Sequence, residues 1–331
     1  MMFFCSLISG TLITISSYTW ISMWMGLEIN LLSIFPLMKN TKNILSVEAS
    51  IKYLITQVIA SALILLMTIL MMNHLTLMSL NIETASIMMM NSALLTKMGA
   101  APFHFWFPEV MEMLSWLNCM LILTWQKVAP MIMVMYNPYS TVFLSMIIVI
   151  SMMISGFMSF NQISLRKILT YSSINHIGWM ISSIMLQETV WIMYFLIYTI
   201  TTIALILMMK MWNLSTLNQL FEMMAQSTSQ KMMFMINFFS FMGVPPFLGF
   251  FPKWLIIQTM ISENLFMITT IMVTMTLIMI FVYMRILLTS LIMVTNKSWN
   301  NMMISNKMKT SIMNFISIMS LVLCTMSFNL T

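Results

Sequence analysis

Residues 54–72 read LITQVIASALILLMTILMM, a run without a single charged side chain. A helix that crosses the hydrocarbon core of a bilayer needs about 20 predominantly apolar residues. This run meets that length and is too long for a strand. It reads as a membrane-spanning helix. Outward from it the same pattern recurs in both directions. Apolar segments fall at roughly 3–19, 21–38, 49–72, 84–107, 115–136, 140–160, 167–186, 189–210, 231–261, 265–289 and 310–328. The expectation is an all-α polytopic membrane protein with about eleven transmembrane helices. A transmembrane β-barrel would instead show short alternating segments.

Composition agrees. Of 331 residues, 60% are hydrophobic and 7% charged, and the mean hydropathy is +0.96. A soluble domain is about 25% charged, so a soluble enzyme, a disordered chain and a disulfide scaffold are excluded. Cys5, Cys119 and Cys324 are scattered, with no spacing for an iron–sulfur cluster or a zinc site. No glycine-rich nucleotide motif is present. The formal charge of +6 is expected to mark basic loops rather than a nucleic-acid partner. The 48 methionines fit a genetic code that reads an isoleucine codon as methionine, as in many animal mitochondria. The N-terminal MMFFCSLISGTLITISSYTW has no charged n-region and no Arg-rich amphipathic stretch, so no import signal is expected in it.

Two segments carry breakers. The ninth holds Gly243, Pro245, Pro246, Gly249 and Pro252; the fourth holds Pro102. Both are expected to be broken helices. Residues 213–228 suit either a short interfacial helix or a loop. No linker divides the chain, so 1–331 reads as one transmembrane domain.

The basic residues test the segment order. With the N-terminus on side A, the side-A loops hold Lys39, Lys42, Arg166, Lys167, Lys210, Lys231, Lys297, Lys307 and Lys309, and the side-B loops hold none. That asymmetry assigns side A to the inner compartment. The N-terminus is then expected on the matrix side and the C-terminus on the intermembrane-space side.

Some charges fall inside segments. Lys52 lies four residues after Glu48, a favourable helix pairing, and Arg285 can reach an interface. Glu28, Lys97 and Lys127 lie near mid-segment, and Lys253 adjoins the break in the ninth. An ionised group at the bilayer centre costs about 2.5–3.5 kcal/mol or more, and such groups pair, face the bundle interior or line a hydrated path. One carboxylate cannot pair with three lysines. Desolvation favours a neutral lysine and a nearby carboxylate a charged one, so a lysine between these influences can take up and release a proton. Prolines free carbonyls four residues back, which for Pro245 and Pro246 are those of Phe241 and Met242. Freed carbonyls at membrane depth need partners, so hydrated cavities are expected beside the lysines. His176 is a weaker relay candidate, as is His104. Glu109 and Glu112 read as an inner proton entrance or as solvated end charges.

WMGLEIN (24–30), EASIKYLITQ (48–57), TKMGAAPFHFWFPEV (96–110), WQKVAP (125–130) and GVPPFLGFFPKW (243–254) together resemble the subunit 2 family of mitochondrial NADH dehydrogenase. These are antiporter-like membrane-arm subunits of respiratory complex I. The resemblance implies an antiporter-like fold lacking the first three helices, with two broken helices. It implies a proton relay of Glu28, Lys97, Lys127 and Lys253, with a looser correspondence for His176. It implies no cofactor on this chain, with NADH, FMN, iron–sulfur clusters and ubiquinone on other subunits. Expected partners are the other membrane-arm subunits, with 4L and 4 as neighbours, and membrane lipids, in the mitochondrial inner membrane. A stand-alone cation/proton antiporter and a purely structural subunit remain alternatives.

Overall fold

The computed structural model describes residues 2–39, 43–74, 80–137, 141–224, 228–245 and 247–292. Among them there are fourteen α-helices and no β-strand. The helices are α1 (Met2–Ser16), α2 (Trp20–Met38), α3 (Ile44–His74), α4 (Leu80–Met98), α5 (Trp106–Met113), α6 (Trp116–Leu123), α7 (Val128–Tyr136) and α8 (Thr141–Ser159). They continue with α9 (Leu165–Ile184), α10 (Glu188–Met211), α11 (Leu217–Met224), α12 (Thr228–Met242), α13 (Phe250–Ser262) and α14 (Phe266–Ile292). Contacts group the described residues into two compact units, one up to Ser151 and one from Met152 onward, the division along the chain falling within α8.

Six helical stretches among the described residues are long and apolar enough to span a bilayer. The expected eleven segments differ from that number for physical reasons. The fourth segment is split into α4 and α5 and the ninth into α12 and α13, both at the foreseen breakers. The first, α1, is apolar but only 15 residues long. The fifth, Trp116–Tyr136, is one of the six, although a 3₁₀ turn at Trp125–Lys127 interrupts it between α6 and α7, which was not foreseen. The seventh, α9, has the length but carries Arg166, Lys167, Asn175 and His176 and many hydroxyls. Residues 213–228 contain the short helix α11. The eleventh segment, 310–328, lies outside the described residues.

In the first unit α1 and α2 cross with backbones in contact. A Cβ on Gly26 would stand 2.8 Å from the Gly10 carbonyl oxygen and 2.8 Å from the Thr14 nitrogen. Small residues allow this approach where lipid gives helices no hydrophobic reason to associate. Thr19 caps α2 by accepting from the Ser22 N–H. In the second unit α9 is buried on almost every face. Its hydroxyls are satisfied internally: Ser172, Ser173, Ser182 and Ser183 donate to carbonyls three residues back. The loops entering α9 and α11 pair through Leu165 N–H to Ser215 O and Leu217 N–H to Ile163 O.

Candidate functional site: buried lysines at helix breaks

Both breaks close in the same way. At the end of α4 the Ala100 N–H bonds the Leu95 carbonyl at 3.0 Å and the Gly99 N–H bonds Thr96 O at 3.2 Å. At the end of α12 Val244 N–H bonds Phe239 O at 3.3 Å and Gly243 N–H bonds Ser240 O at 3.3 Å. Gly99 and Gly243 sit at φ +74° and +75°, the left-handed backbone that this helix-closing motif requires and glycine adopts without strain. The sequence repeats across the two sites: MGAAPFHFWFP at 98–108 and MGVPPFLGFFP at 242–252. The helices restart at equivalent positions, Trp106 and Phe250. In that register Glu109 stands where Lys253 stands.

Lys97 lies in the last turn of α4 and is 7% exposed. The carbonyls exposed by the break are taken up: the Trp106 indole donates to Thr96 O at 3.1 Å and the Gln57 amide to Lys97 O at 3.4 Å. A cavity of about 10 Å³, measured as room for a water's centre, lies beside Lys97, with Asn30, Tyr53, Gln57 and Gln126 among its walls. That is space for about one water. Tyr53 donates to Gln126 Oε1 at 3.3 Å, and Gln126 Nε2 donates to Asn30 Oδ1 at 2.8 Å. Glu28, half-buried two residues before Asn30, acts electrostatically on Lys97. No direct ion pair joins them among the described residues.

Lys127 is 1% exposed and sits on the 3₁₀ turn. Its ammonium faces the Phe107 ring, 5.9 Å from the centroid, within the range of a cation–π contact. Phe107 also fills the space that a side chain on Gly99 would occupy. One aromatic ring therefore touches both lysine-bearing breaks of the first unit.

In the second unit the Lys253 ammonium donates to the Met242 carbonyl at 2.7 Å, the oxygen expected to be freed by Pro246. A cation there also meets the negative end of the α12 dipole. His176 on α9 shares a 2.8 Å hydrogen bond with the Tyr194 hydroxyl on α10. Its ring lies 5.0 Å from both Tyr198 and Phe241.

The remaining charged candidates are peripheral. Lys52 pairs with Glu48 at 3.1 Å, as expected, and with Glu109 at 3.0 Å, and all three side chains are substantially exposed. Glu109 is thus an end charge that ties α5 to α3. His104 is buried beside the Pro102 backbone. The sequence reading singled out no role for Asn30, Tyr53, Gln57 or Gln126, although all four lie in the quoted motifs.

The comparisons agree with this architecture. The family model "NADH:quinone oxidoreductase/Mrp antiporter, TM" matches residues 17–279. NADH-ubiquinone oxidoreductase chain 2 of Locusta migratoria is 42% identical, covering 100% of this chain and 97% of that protein. The Aedes aegypti protein of the same name is 45% identical, covering 98% of this chain and 96% of that one. Among solved structures, a chain of respiratory complex I from Thermus thermophilus superposes with a TM-score of 0.85 at 18% identity, over 96% of this chain and 76% of that chain. A chain of the Mrp complex from Dietzia gives 0.78 at 14% identity, over 98% of this chain and 74% of that chain. The split helices and the long matches to chain 2 proteins converge: this chain belongs to the NADH:quinone oxidoreductase/Mrp antiporter transmembrane family.

Proposed function

We propose that this chain is the antiporter-like, proton-translocating membrane-arm subunit of a mitochondrial NADH:ubiquinone oxidoreductase. The observation that carries the reading is the placement of Lys97 and Lys127, both buried at helix breaks, with a carboxylate acting on Lys97 and a one-water cavity beside it. Buried ammonium groups held at interrupted backbone suit proton storage better than helix fastening. NADH oxidation and quinone reduction take place on other subunits, which hold the FMN, iron–sulfur clusters and ubiquinone.

In this reading Glu28 changes its electrostatic hold on Lys97 as the redox cycle advances. Lys97 then passes its proton towards Lys127, and the second unit supplies Lys253 as the exit-side station, with His176 near it. The relay works within a single transmembrane domain, 1–331, whose N-terminus faces the matrix and whose C-terminus faces the intermembrane space. Subunits 4L and 4 flank it, and lipids contact its apolar faces.

Native electrophoresis of mitochondrial membranes, with an NADH-oxidation stain and mass spectrometry, tests the assignment. This chain should co-migrate with a large NADH-oxidising particle. Migration only as a small NADH-inactive species would instead establish a stand-alone antiporter. Lys97→Ala tests the relay: the complex should assemble and show impaired pumping. A normal proton-to-electron ratio in the assembled variant would defeat it.

A further inference from the structure

A cavity of about 350 Å³ lies in the second unit, between the end of α8, the short helix α11 and the last turns of α14. Phe160, Ile163, Phe221 and Ile286 are among its apolar walls, and Gln162 and Arg285 among its polar ones. It reaches the surface, since Ile163 is 66% exposed and Arg285 is exposed as well. Its volume falls within the about 300–1,000 Å³ of pockets that hold small molecules. Apolar walls of this kind are costly to leave to water.

The cavity lies at headgroup depth. Arg285 stands 19 residues after Phe266 on α14, roughly 28 Å at about 1.5 Å per residue, close to the hydrocarbon thickness of about 30 Å. The wall formed by α11 is fixed at its entry. Gln219 Oε1 accepts from the Ser215 N–H at 2.8 Å and from the Ser215 hydroxyl at 3.0 Å, and the Leu217 N–H bonds Ile163 O. Leu217, Leu220, Phe221 and Met224 share one face of α11, while Asn218 and Glu222 are exposed, the pattern of a helix lying in the interface. Charge at this end is one-sided. Arg166 and Lys167 open α9, Lys210 closes α10, Lys231 lies in the first turn of α12 and Arg285 near the end of α14, against Glu222 as the acid there among the described residues. No acidic side chain stands among the described walls, and no ion pair to Arg285 is found among the described residues.

We propose that this cavity binds an anionic phospholipid, with a headgroup phosphate on Arg285 and an acyl chain along Phe160, Phe221 and Ile286. A guanidinium presents its N–H donors in a fork that matches phosphate. The Gln162 amide donates one N–H to Met158 O at 3.2 Å and keeps a second for a headgroup oxygen. Snorkelling alone accounts for an arginine near a helix end, but not for an apolar cavity beside it. A free phosphate would use the arginine and leave the apolar walls bare, whereas a lipid covers both. The excess of cations at this end selects an anionic headgroup over a zwitterionic one, as basic pockets between membrane helices do. A lipid seated there fastens α8, α11 and α14 to one another. This inference rests on the membrane placement in the reading above and not on its relay, so normal pumping by Lys97→Ala would leave it standing.

The test is photolabelling of the assembled complex in phosphatidylcholine nanodiscs that contain cardiolipin with a photoreactive group in one acyl chain. Adducts are expected on the peptides that hold Phe160–Ile163 or Leu217–Phe221. Unlabelled cardiolipin should compete them away, inorganic phosphate should not, and phosphatidylcholine with the same reactive group should label these peptides several-fold less. Arg285→Gln should lower the cardiolipin adducts several-fold while NADH oxidation stays at the parent level, and Arg285→Lys should retain part of the labelling. Undiminished labelling in Arg285→Gln, or equal labelling by the two lipids, overturns the proposal. Displacement by inorganic phosphate overturns it too, by making the site one for free anions. If Arg285→Gln fails to assemble, a cryo-electron density map of the parent complex in the same nanodiscs decides. A headgroup within hydrogen-bond distance of the guanidinium, with its chain in the cavity, is the expected result. A cavity that is empty, or filled by side chains of this chain or of a neighbouring subunit, overturns the proposal.

Discussion

Tyr53 on α3 donates its hydroxyl to Gln126 on the 3₁₀ turn, and Gln126 in turn donates to Asn30 on α2. The chain of bonds has one direction and ends two residues from Glu28. It joins the helix that carries the carboxylate to the turn that carries Lys127. Gln126→Leu should therefore disconnect the two lysine sites. Assembly should persist while the proton-to-electron ratio falls. Tyr53→Phe removes one neutral bond, worth about 0.5–1.5 kcal/mol, and should show a weaker form of the same defect. Equal ratios in Gln126→Leu and parent complexes would dismiss the connection.

Lys253 invites a pair of substitutions. Lys253→Met keeps the stem but leaves the Met242 carbonyl without its donor, so both thermal stability and pumping should drop. Lys253→Gln still offers an N–H to that carbonyl. It should recover much of the stability, read as the melting temperature of the assembled complex, and recover none of the pumping. Recovery of both would reduce Lys253 to a helix cap.

Gly26 and Gly249 test close approach. A Cβ on Gly26 meets backbone of α1, and one on Gly249 would run into the Ser240 carbonyl. Backbone cannot swing aside as a side chain can. Overpacking of this kind costs about 1–3 kcal/mol or more. Gly26→Ala and Gly249→Ala should lower the amount of assembled complex, measured by native electrophoresis. Wild-type amounts of both would show that the helices separate without penalty.

Lys52 is the contrasting case. Its two ion pairs are open to water, and exposed pairs contribute little. Lys52→Ala should leave assembly and pumping near the parent level. A large pumping defect there would place the Glu48–Lys52–Glu109 cluster on the proton path.

Much of this was legible in the sequence because bilayer physics is strict. Long apolar runs marked the helices, and Pro102 and the Gly243–Pro252 cluster marked the two breaks. The 3₁₀ turn at Trp125–Lys127 was not legible, since WQKVAP carries no glycine, and its proline, Pro130, falls inside α7. Lys127 therefore read as a mid-helix charge instead of a charge at an interruption. Asn30, Tyr53 and Gln126 escaped notice for a related reason. A neutral polar residue in an apolar helix has no spacing rule, and only the meeting of three helices makes a network of them. The equivalence of Glu109 and Lys253 was present in the letters, but it took the matching glycine conformations and helix starts to show that two different charges occupy one frame.

In the proposed relay, the bond from Lys253 to the Met242 carbonyl also makes a proton into a mechanical part. A charge-assisted hydrogen bond is roughly twice as strong as a neutral one. While Lys253 is loaded, its ammonium latches the end of α12 to α13. In that relay, when the proton departs, the same nitrogen holds the same oxygen less firmly, and the break at Gly243 loses part of its fastening. Occupancy and leverage are then the same event, so a transfer at one nitrogen is felt along the two helix halves that meet there.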